Sequence, residues 1–153
     1  MTVAMHVGAA LLAVAAAALP APGQPWATVN VCDTPRHPGE VGVRAAMPGR
    51  PRGAQRAVRF RLQWLDGERW RYVTGADSRW RRVGVARGRA LESGWSFELA
   101  APQRRVTFRG VVRFRWLEHG RVVRRARELT EAGHRSTAGA DPAGYSAATC
   151  SMG

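Results

Sequence analysis

The fold of this chain is decided by one short stretch, Val58-Arg59-Phe60-Arg61-Leu62-Gln63-Trp64, in which apolar side chains alternate with polar ones. Successive side chains of a β-strand point to opposite faces, so this alternation predicts a strand with one dry face and one wet face. Asp66-Gly67 follows, and this dipeptide is typical of a two-residue hairpin turn. The sequence therefore predicts a β-hairpin whose return strand contains Trp70, Tyr72 and Val73.

A second stretch repeats this pattern further along the chain. Val112-Arg113-Phe114-Arg115-Trp116 alternates in the same way, and His119-Gly120 supplies a turn before a return strand at residues 121–129. The two hairpins could be an internal duplication. Alternating arginine and aromatic residues also recur by chance in an arginine-rich chain, so independent strand patterning is the favoured explanation.

Shorter strand signals, separated by Gly and Pro, fill the rest of residues 26–131, and no apolar pattern at helical spacing runs for a useful length. Further strands are predicted at residues 27–32, 40–47 and 94–100, with exposed loops at residues 50–56 and 77–88. About seven short strands in a chain of this size predict an all-β fold, and a two-sheet sandwich is favoured over a small barrel.

The predicted arrangement resembles the immunoglobulin and fibronectin type III class of β-sandwich. The resemblance covers roughly residues 26–131 and is carried by the strand number, the order of the hairpins and Trp64 in a central strand. It implies an immunoglobulin-like sandwich and no particular activity. Stretches such as Val29-Asn30-Val31-Cys32-Asp33 and His134-Arg135-Ser136-Thr137-Ala138-Gly139 also resemble secreted bacterial proteins, and this second resemblance brings no activity with it.

The N-terminal residues predict export. Residues 7–19 are an unbroken run of apolar and small side chains that ends at Pro20, which suits a signal peptide and is too short to cross a membrane. The region before the run is atypical because it contains only His6 and no Arg or Lys. Cleavage after Ala21-Pro22-Gly23 would leave Gln24 as the new terminus, so we expect a leader at 1–23, one domain at 24–153 and a secreted or cell-surface location. The alternative is a buried Ala-rich helix in a cytosolic protein.

The two cysteines, Cys32 and Cys150, lie near opposite ends of the predicted domain. In an oxidising compartment an even number of cysteines first indicates a disulfide, and the antibody pattern differs because it places its cysteines on two central strands. A metal site that adds His37 and His134 is the rival interpretation, but the spacing matches no zinc pattern. A disulfide predicts that the Gly- and Ser-rich tail from about residue 132 returns along the first strand, with Tyr145 packed where it does so.

The charge of the chain is strongly positive, with 24 basic against 11 acidic residues and a formal net charge of +13. Every basic residue is arginine. A GC-rich genome is the favoured explanation for the missing lysine, but the resulting field attracts polyanions whatever its origin. The 45% of hydrophobic residues is typical of a folded chain and excludes disorder of the whole.

The wet faces of the two predicted hairpins are candidate sites for anion binding. If the two strands are neighbours, Arg59 and Arg61 would lie beside Arg113 and Arg115 in a ladder able to hold phosphate or carboxylate groups. The basic loop between the hairpins would add further arginines, namely Arg79, Arg81, Arg82, Arg87 and Arg89. Trp80 and Tyr72 could stack on rings of a ligand. The competing interpretation is an ordinary solvated face that also discourages aggregation.

Signatures of catalysis are scarce. The chain lacks the common nucleophile, phosphate-loop, dinucleotide and zinc-protease motifs, and only His134, Ser136 and Asp141 lie close together in sequence. We therefore expect no enzyme, no catalytic residue, no metal and no cofactor. The leading hypothesis is an exported noncatalytic interaction or cell-surface module of unknown partner, for which another envelope or extracellular protein is a candidate. The alternative is binding of an envelope polymer or nucleic acid through the arginines, and a secreted hydrolase is the least favoured.

Overall fold

A computed structural model of the protein describes residues 23–50, 52–85, 87–134 and 137–153, which contain β-strands and no helix. Most of the predicted leader, residues 1–22, lies outside the described residues, so the leader stays a prediction. The strands are β1 (Trp26–Thr34), β2 (His37–Met47), β3 (Gln55–Asp66), β4 (Arg69–Asp77), β5 (Arg81–Val85), β6 (Leu91–Glu98), β7 (Val106–Glu118), β8 (Arg121–Leu129) and β9 (Cys150–Met152).

The strands form two antiparallel sheets that enclose one core, which confirms the predicted two-sheet sandwich. The smaller sheet has the order β1-β2-β6, and the larger has the order β4-β3-β7-β8. Two short strands complete the larger sheet: β5 lies beside the first part of β3, and β9 lies beside the first part of β7. The described strands number nine, two more than the expected seven or so, because these two short edge strands carry little sequence signal.

The core is built from the apolar positions of the alternating stretches. Phe60 and Leu62 on β3 and Phe114 on β7 are fully buried, as the alternation predicted. Trp64, predicted to mark the central strand, is only partly buried at the margin of this core. The fully buried tryptophan is Trp116, whose indole Nε1–H donates to the carbonyl of Pro48 at 3.2 Å, so its polar atom is satisfied.

Both hairpin predictions are confirmed, the first with a shift of one residue. Asp66 pairs with Arg69, so its loop is formed by residues 67 and 68. Gly67 has a φ of 60°, which suits a turn that needs glycine at its first position. In the second hairpin His119 and Gly120 form the loop with φ values of 49° and 76°, and both positions of a type I′ turn require positive φ.

Three local predictions were wrong. The predicted loop at 77–88 contains β5, which is hydrogen-bonded only along its β3 edge and is therefore short. β2 begins at His37, before the predicted residue 40, because Pro38 lies near the strand end where a missing N–H is tolerated. The predicted exposed loop at 50–56 ends in β3, and Arg56 is buried, with Nη1 donating to the carbonyl of Met47 at 3.1 Å. Burial lowers the pKa of Arg56.

A disulfide joins Cys32 on β1 to Cys150 on β9, with a Cα–Cα distance of 5.4 Å. This bond overturns the rival metal site, since both thiols are consumed. The tail returns along β1 as predicted: Val29 exchanges two backbone hydrogen bonds with Ala147, at 2.9 and 3.0 Å. Tyr145 packs against the core at this return, and burial raises the pKa of its hydroxyl. The disulfide and the strand pairing together hold the C-terminal segment on the sandwich.

Candidate functional site

The outer face of the larger sheet carries the arginines that alternate with the core residues of β3, β7 and β8. We call this surface the arginine face. Strand register places Arg59 opposite Arg113, and Arg113 opposite Arg127 on the next strand. Two residues further along β7, Arg115 lies between Ala57 on β3 and Arg125 on β8. The members of the arginine face are Arg59, Arg61, Arg109, Arg113, Arg115, Arg125 and Arg127.

The structure thus brings the four strand arginines predicted from sequence onto one face, although not as a simple ladder. Arg59 and Arg113 are direct partners, whereas Arg61 lies opposite Val111. Sequence reasoning missed Arg109 on β7, and it missed Arg125 and Arg127 on β8. The alternation of Arg125 and Arg127 around Ala126 in β8 is the same signal that identified the other strands, and it could have found these two.

The positive charge on the half of the arginine face next to β4 is partly offset by Asp77. Arg59 Nε donates to Asp77 Oδ1 at 2.8 Å, and its Nη2 contacts the second carboxylate oxygen. Arg61 Nε lies 3.7 Å from the same carboxylate, and the backbone N–H of Arg79 donates to it at 2.9 Å. The hydrogen bond from Arg59, supported by that of Arg79 and by both positive charges, lowers the pKa of Asp77 to about 2. Asp77 is therefore ionised at neutral pH, and it compensates much of the charge of these two guanidinium groups.

The other half of the arginine face is a positive cluster, which we call the arginine square: Arg113, Arg115, Arg125 and Arg127. Glu128, the sequence neighbour of Arg127, attracts it electrostatically. The four side chains of the square and Trp80 line an open groove of about 420 Å³. The guanidinium of Arg115 lies over the Trp80 ring, 3.9 Å from its centroid. Within the described ranges, no carboxylate forms an ion pair with any member of the square. The groove can hold anionic groups between guanidinium donors.

Two other aromatic rings of this face are covered by arginines. The Arg61 guanidinium lies 3.7 Å from the centroid of Tyr72, and that of Arg109 lies 4.1 Å from the centroid of Trp70. Arg109 Nε also donates to Gln63 Oε1 at 2.9 Å. Burial, followed by the positive charge of Arg127, lowers the pKa of Arg109. Arg109 is therefore close enough to Arg127 to share the positive field of the arginine square.

The remaining predicted arginines do not form one group. Arg82 pairs in register with Ala57 and so lies at the edge of the arginine face, whereas Arg81 points the other way and stacks over Trp95, 4.3 Å from its centroid. Arg79 lies in the loop before β5 and is exposed. Arg87 and Arg89 are exposed beyond β5 and line no groove with the arginine square. Arg79 lines a second groove with Arg61, Tyr72 and Asp77, so Arg79 and Arg82 are the loop arginines positioned at this face.

The catalytic candidates of the tail are engaged elsewhere. The His134 ring stacks on Trp26 with centroids 4.2 Å apart, and burial lowers its pKa. The carboxylate of Asp141 accepts hydrogen bonds from the Thr34 hydroxyl and from Arg36, and the first of these is the main reason that its pKa is lowered. The third candidate, residue 136, lies outside the described residues.

Two further features concern the described part of the chain only. There, no three His, Cys, Asp or Glu side chains gather closely enough to hold a metal ion. No helix in the same part is long and apolar enough to span a membrane. Comparisons of the chain with protein-family models, with curated proteins and with solved structures found no match.

Proposed function

We propose that the protein is an exported, noncatalytic immunoglobulin-like module that binds anionic polymers through its arginine face. The observation that carries this proposal is the arginine square. Arg113 lies directly opposite Arg127, and Arg115 directly opposite Arg125, across neighbouring strands. Like charges in such positions destabilise a sheet, so two adjacent like-charged pairs are unfavourable for folding alone.

The contrast within the arginine face supports a binding role over an ordinary solvated surface. On the β4 side Asp77 forms ion pairs with Arg59 and Arg61 and offsets one of their two charges. Around the groove no described carboxylate forms an ion pair with the arginine square, although Glu128 attracts Arg127 electrostatically. A bound polyanion would relieve this repulsion, and local conflict of this kind is expected at functional sites.

Guanidinium groups suit this role because they hold phosphate, sulfate or carboxylate groups with two parallel hydrogen bonds. Each neutralised anionic group releases condensed counterions from the polymer, so affinity falls steeply with salt. The affinity of such binding depends more on the spacing of the charges than on the sequence of the polymer. Envelope polymers and nucleic acids both satisfy that requirement.

The class and the location in this proposal have their own support. The order β1-β2-β6 facing β4-β3-β7-β8 matches the order of strands A, B and E facing C′, C, F and G in the immunoglobulin class. The disulfide between Cys32 and Cys150 suits an oxidising compartment outside the cytoplasm. Export also agrees with the apolar run at residues 7–19.

The test is the affinity of the purified protein for heparin, used as a general polyanion, over a range of NaCl concentrations. R113Q/R127Q removes one like-charged pair, and we expect the slope of log affinity against log salt to become less steep by about 1.5. The matched control, R104Q/R105Q, removes two exposed charges from the loop before β7. If both variants lose the same affinity, the arginine face is not the site and net charge alone explains binding.

A further inference from the structure

The groove of the arginine square contains a feature that a purely electrostatic site does not need. Trp80 forms one of its walls and is only half-buried, in the loop between β4 and β5. That loop is held rigidly: the Ser78 hydroxyl accepts from the Phe60 backbone N–H at 2.9 Å, and the Ser78 N–H donates to the Phe60 carbonyl at 3.0 Å. The Arg115 guanidinium covers part of this ring, 3.9 Å from its centroid, and the part of Trp80 that lines the groove is a positioned apolar surface beside four positive charges.

We propose that the ligand of this groove is an acidic polysaccharide, with a sugar ring against Trp80 and its carboxylate or sulfate groups between the arginines of the square. This inference rests on the proposed function and specifies its ligand. Aromatic side chains offer a large apolar body that packs against the C–H face of a ring. A groove of about 420 Å³ lies within the range of ordinary small-ligand sites and accommodates a short stretch of sugar units.

The layout of the charges agrees with a chain of rings that carry anionic groups. Arg113 and Arg115 are alternate residues of β7, so their Cα atoms are separated by about 7 Å. Arg125 and Arg127 face them from β8, at the strand spacing of about 5 Å. The square therefore offers two rows of paired donors along the direction of the strands. Successive acidic groups on a polysaccharide can each meet one row.

Single-stranded nucleic acid fits the same surface less well. Proteins that bind it without sequence preference stack successive bases on several exposed aromatic rings. Here each of the three rings on the arginine face, Tyr72, Trp70 and Trp80, lies under one guanidinium group, so this face presents no row of free rings for successive bases. Trp80, in the wall of the groove, suits a contact with a single ring of a ligand. The disulfide also suits an oxidising compartment outside the cytoplasm.

The experiment compares five polymers of similar charge and length: polygalacturonate and dextran sulfate as carboxylated and sulfated polysaccharides, polyglutamate and polyphosphate as polyanions without rings, and oligo-dT. We expect at least one polysaccharide to bind several-fold more tightly than either ring-free polymer at equal salt. W80A should weaken polysaccharide binding about 3- to 10-fold, the size of a ring contact. Its affinity for polyphosphate should change little.

W70F provides the matched control, because Trp70 lies on the same face under Arg109. If W80A folds poorly, W80F retains a ring and identifies the Trp80 indole N–H signal in NMR spectra of the wild-type protein. That signal should shift on titration with the preferred polysaccharide.

The outcomes separate the two proposals. Equal binding of ring-free polymers and polysaccharides, with no effect at Trp80, would overturn this inference and leave the anionic-polymer function standing. Tightest binding of oligo-dT would replace the polysaccharide with single-stranded nucleic acid. Failure of all five polymers to bind would remove both proposals. Polysaccharide preference that depends on Trp80, with R113Q/R127Q weakening every polymer, supports both.

Discussion

Replacing Asp77 by Asn should make the protein less stable and, at the same time, a stronger binder of polyanions. The Asp77 carboxylate holds Arg59 through two contacts and attracts Arg61 at 3.7 Å. An asparagine keeps the size of the side chain and removes its charge. The positive charges of Arg59 and Arg61 then add to the field of the arginine square, because residue 77 no longer carries a negative charge.

The expected stability change follows from the pKa of Asp77, which falls from an ordinary 3.8 to about 2 in the folded protein. A pKa change of this size corresponds to at most about 2.5 kcal/mol, and solvent screening of the partly exposed pair reduces it to about 1–2 kcal/mol. Because the folded pKa is depressed, this stabilisation is present above about pH 4 and is lost as the pH falls through about 2.

Urea unfolding at pH 6 and at pH 2.5 measures the first effect. At pH 6 the D77N variant should unfold about 1–2 kcal/mol more easily than the wild type, and at pH 2.5 the difference should shrink to a fraction of that value. Asp141, whose pKa is also lowered, contributes equally to both proteins and cancels. A difference that stays constant with pH would show that the carboxylate charge does not stabilise the fold.

Heparin binding measures the second effect. Removal of the one carboxylate charge should steepen the dependence of log affinity on log salt by about 1 and raise the affinity at low salt. A folded D77N variant whose heparin affinity is unchanged or lower would refute the reasoning that the β4 side of the arginine face is silenced by Asp77. The same result would weaken the case for the arginine square.

Two further predictions concern the fold that presents the arginine face. G110A should lower stability by about 1–3 kcal/mol, because its Cβ would lie 2.6 Å from Thr130 Cγ2 in a packed core, as urea unfolding would measure. C32A/C150A should lower stability by about 4–5 kcal/mol, since the disulfide closes a loop across a sequence separation of 118 residues and restricts the unfolded chain.

Each of these predictions has a control. T130S removes Cγ2 but keeps the hydroxyl that accepts from the Gly110 N–H at 3.0 Å, so it should restore most of the stability lost in G110A. Absence of that rescue would mean that crowding at Thr130 is not the cause. For the disulfide, the wild-type protein unfolded in a reducing agent should match C32A/C150A. A loss below about 1 kcal/mol in both would show that the bond constrains little.

Local patterns predicted the parts of the protein that depend on neighbouring residues. The alternation around Phe60 and Phe114 identified the core strands, and the same rule applied to β8 would have found Arg125 and Arg127. The turn at His119 was also readable, since positive φ is a local property of the chain. The pairing of Cys32 with Cys150 followed from their number and their expected compartment.

The candidate site needed information that is not local. The cancellation of Arg59 by Asp77 depends on how β4 lies beside β3, 18 residues apart in sequence. The burial of Arg56 and the position of Trp80 in the wall of the groove also depend on contacts between residues far apart in the chain. Local sequence patterns therefore predicted neither of them.

By itself, the sequence determined a β-rich chain whose strands have one apolar and one polar face, together with two hairpins and a surplus of arginine. It could do so because side-chain alternation and turn chemistry act over a few residues. Only the tertiary structure decided which arginines form ion pairs with a carboxylate and which face each other across neighbouring strands without such a pair. The physical reason is that electrostatic energy depends on distances in space, and strand register sets those distances between residues that are far apart in the chain.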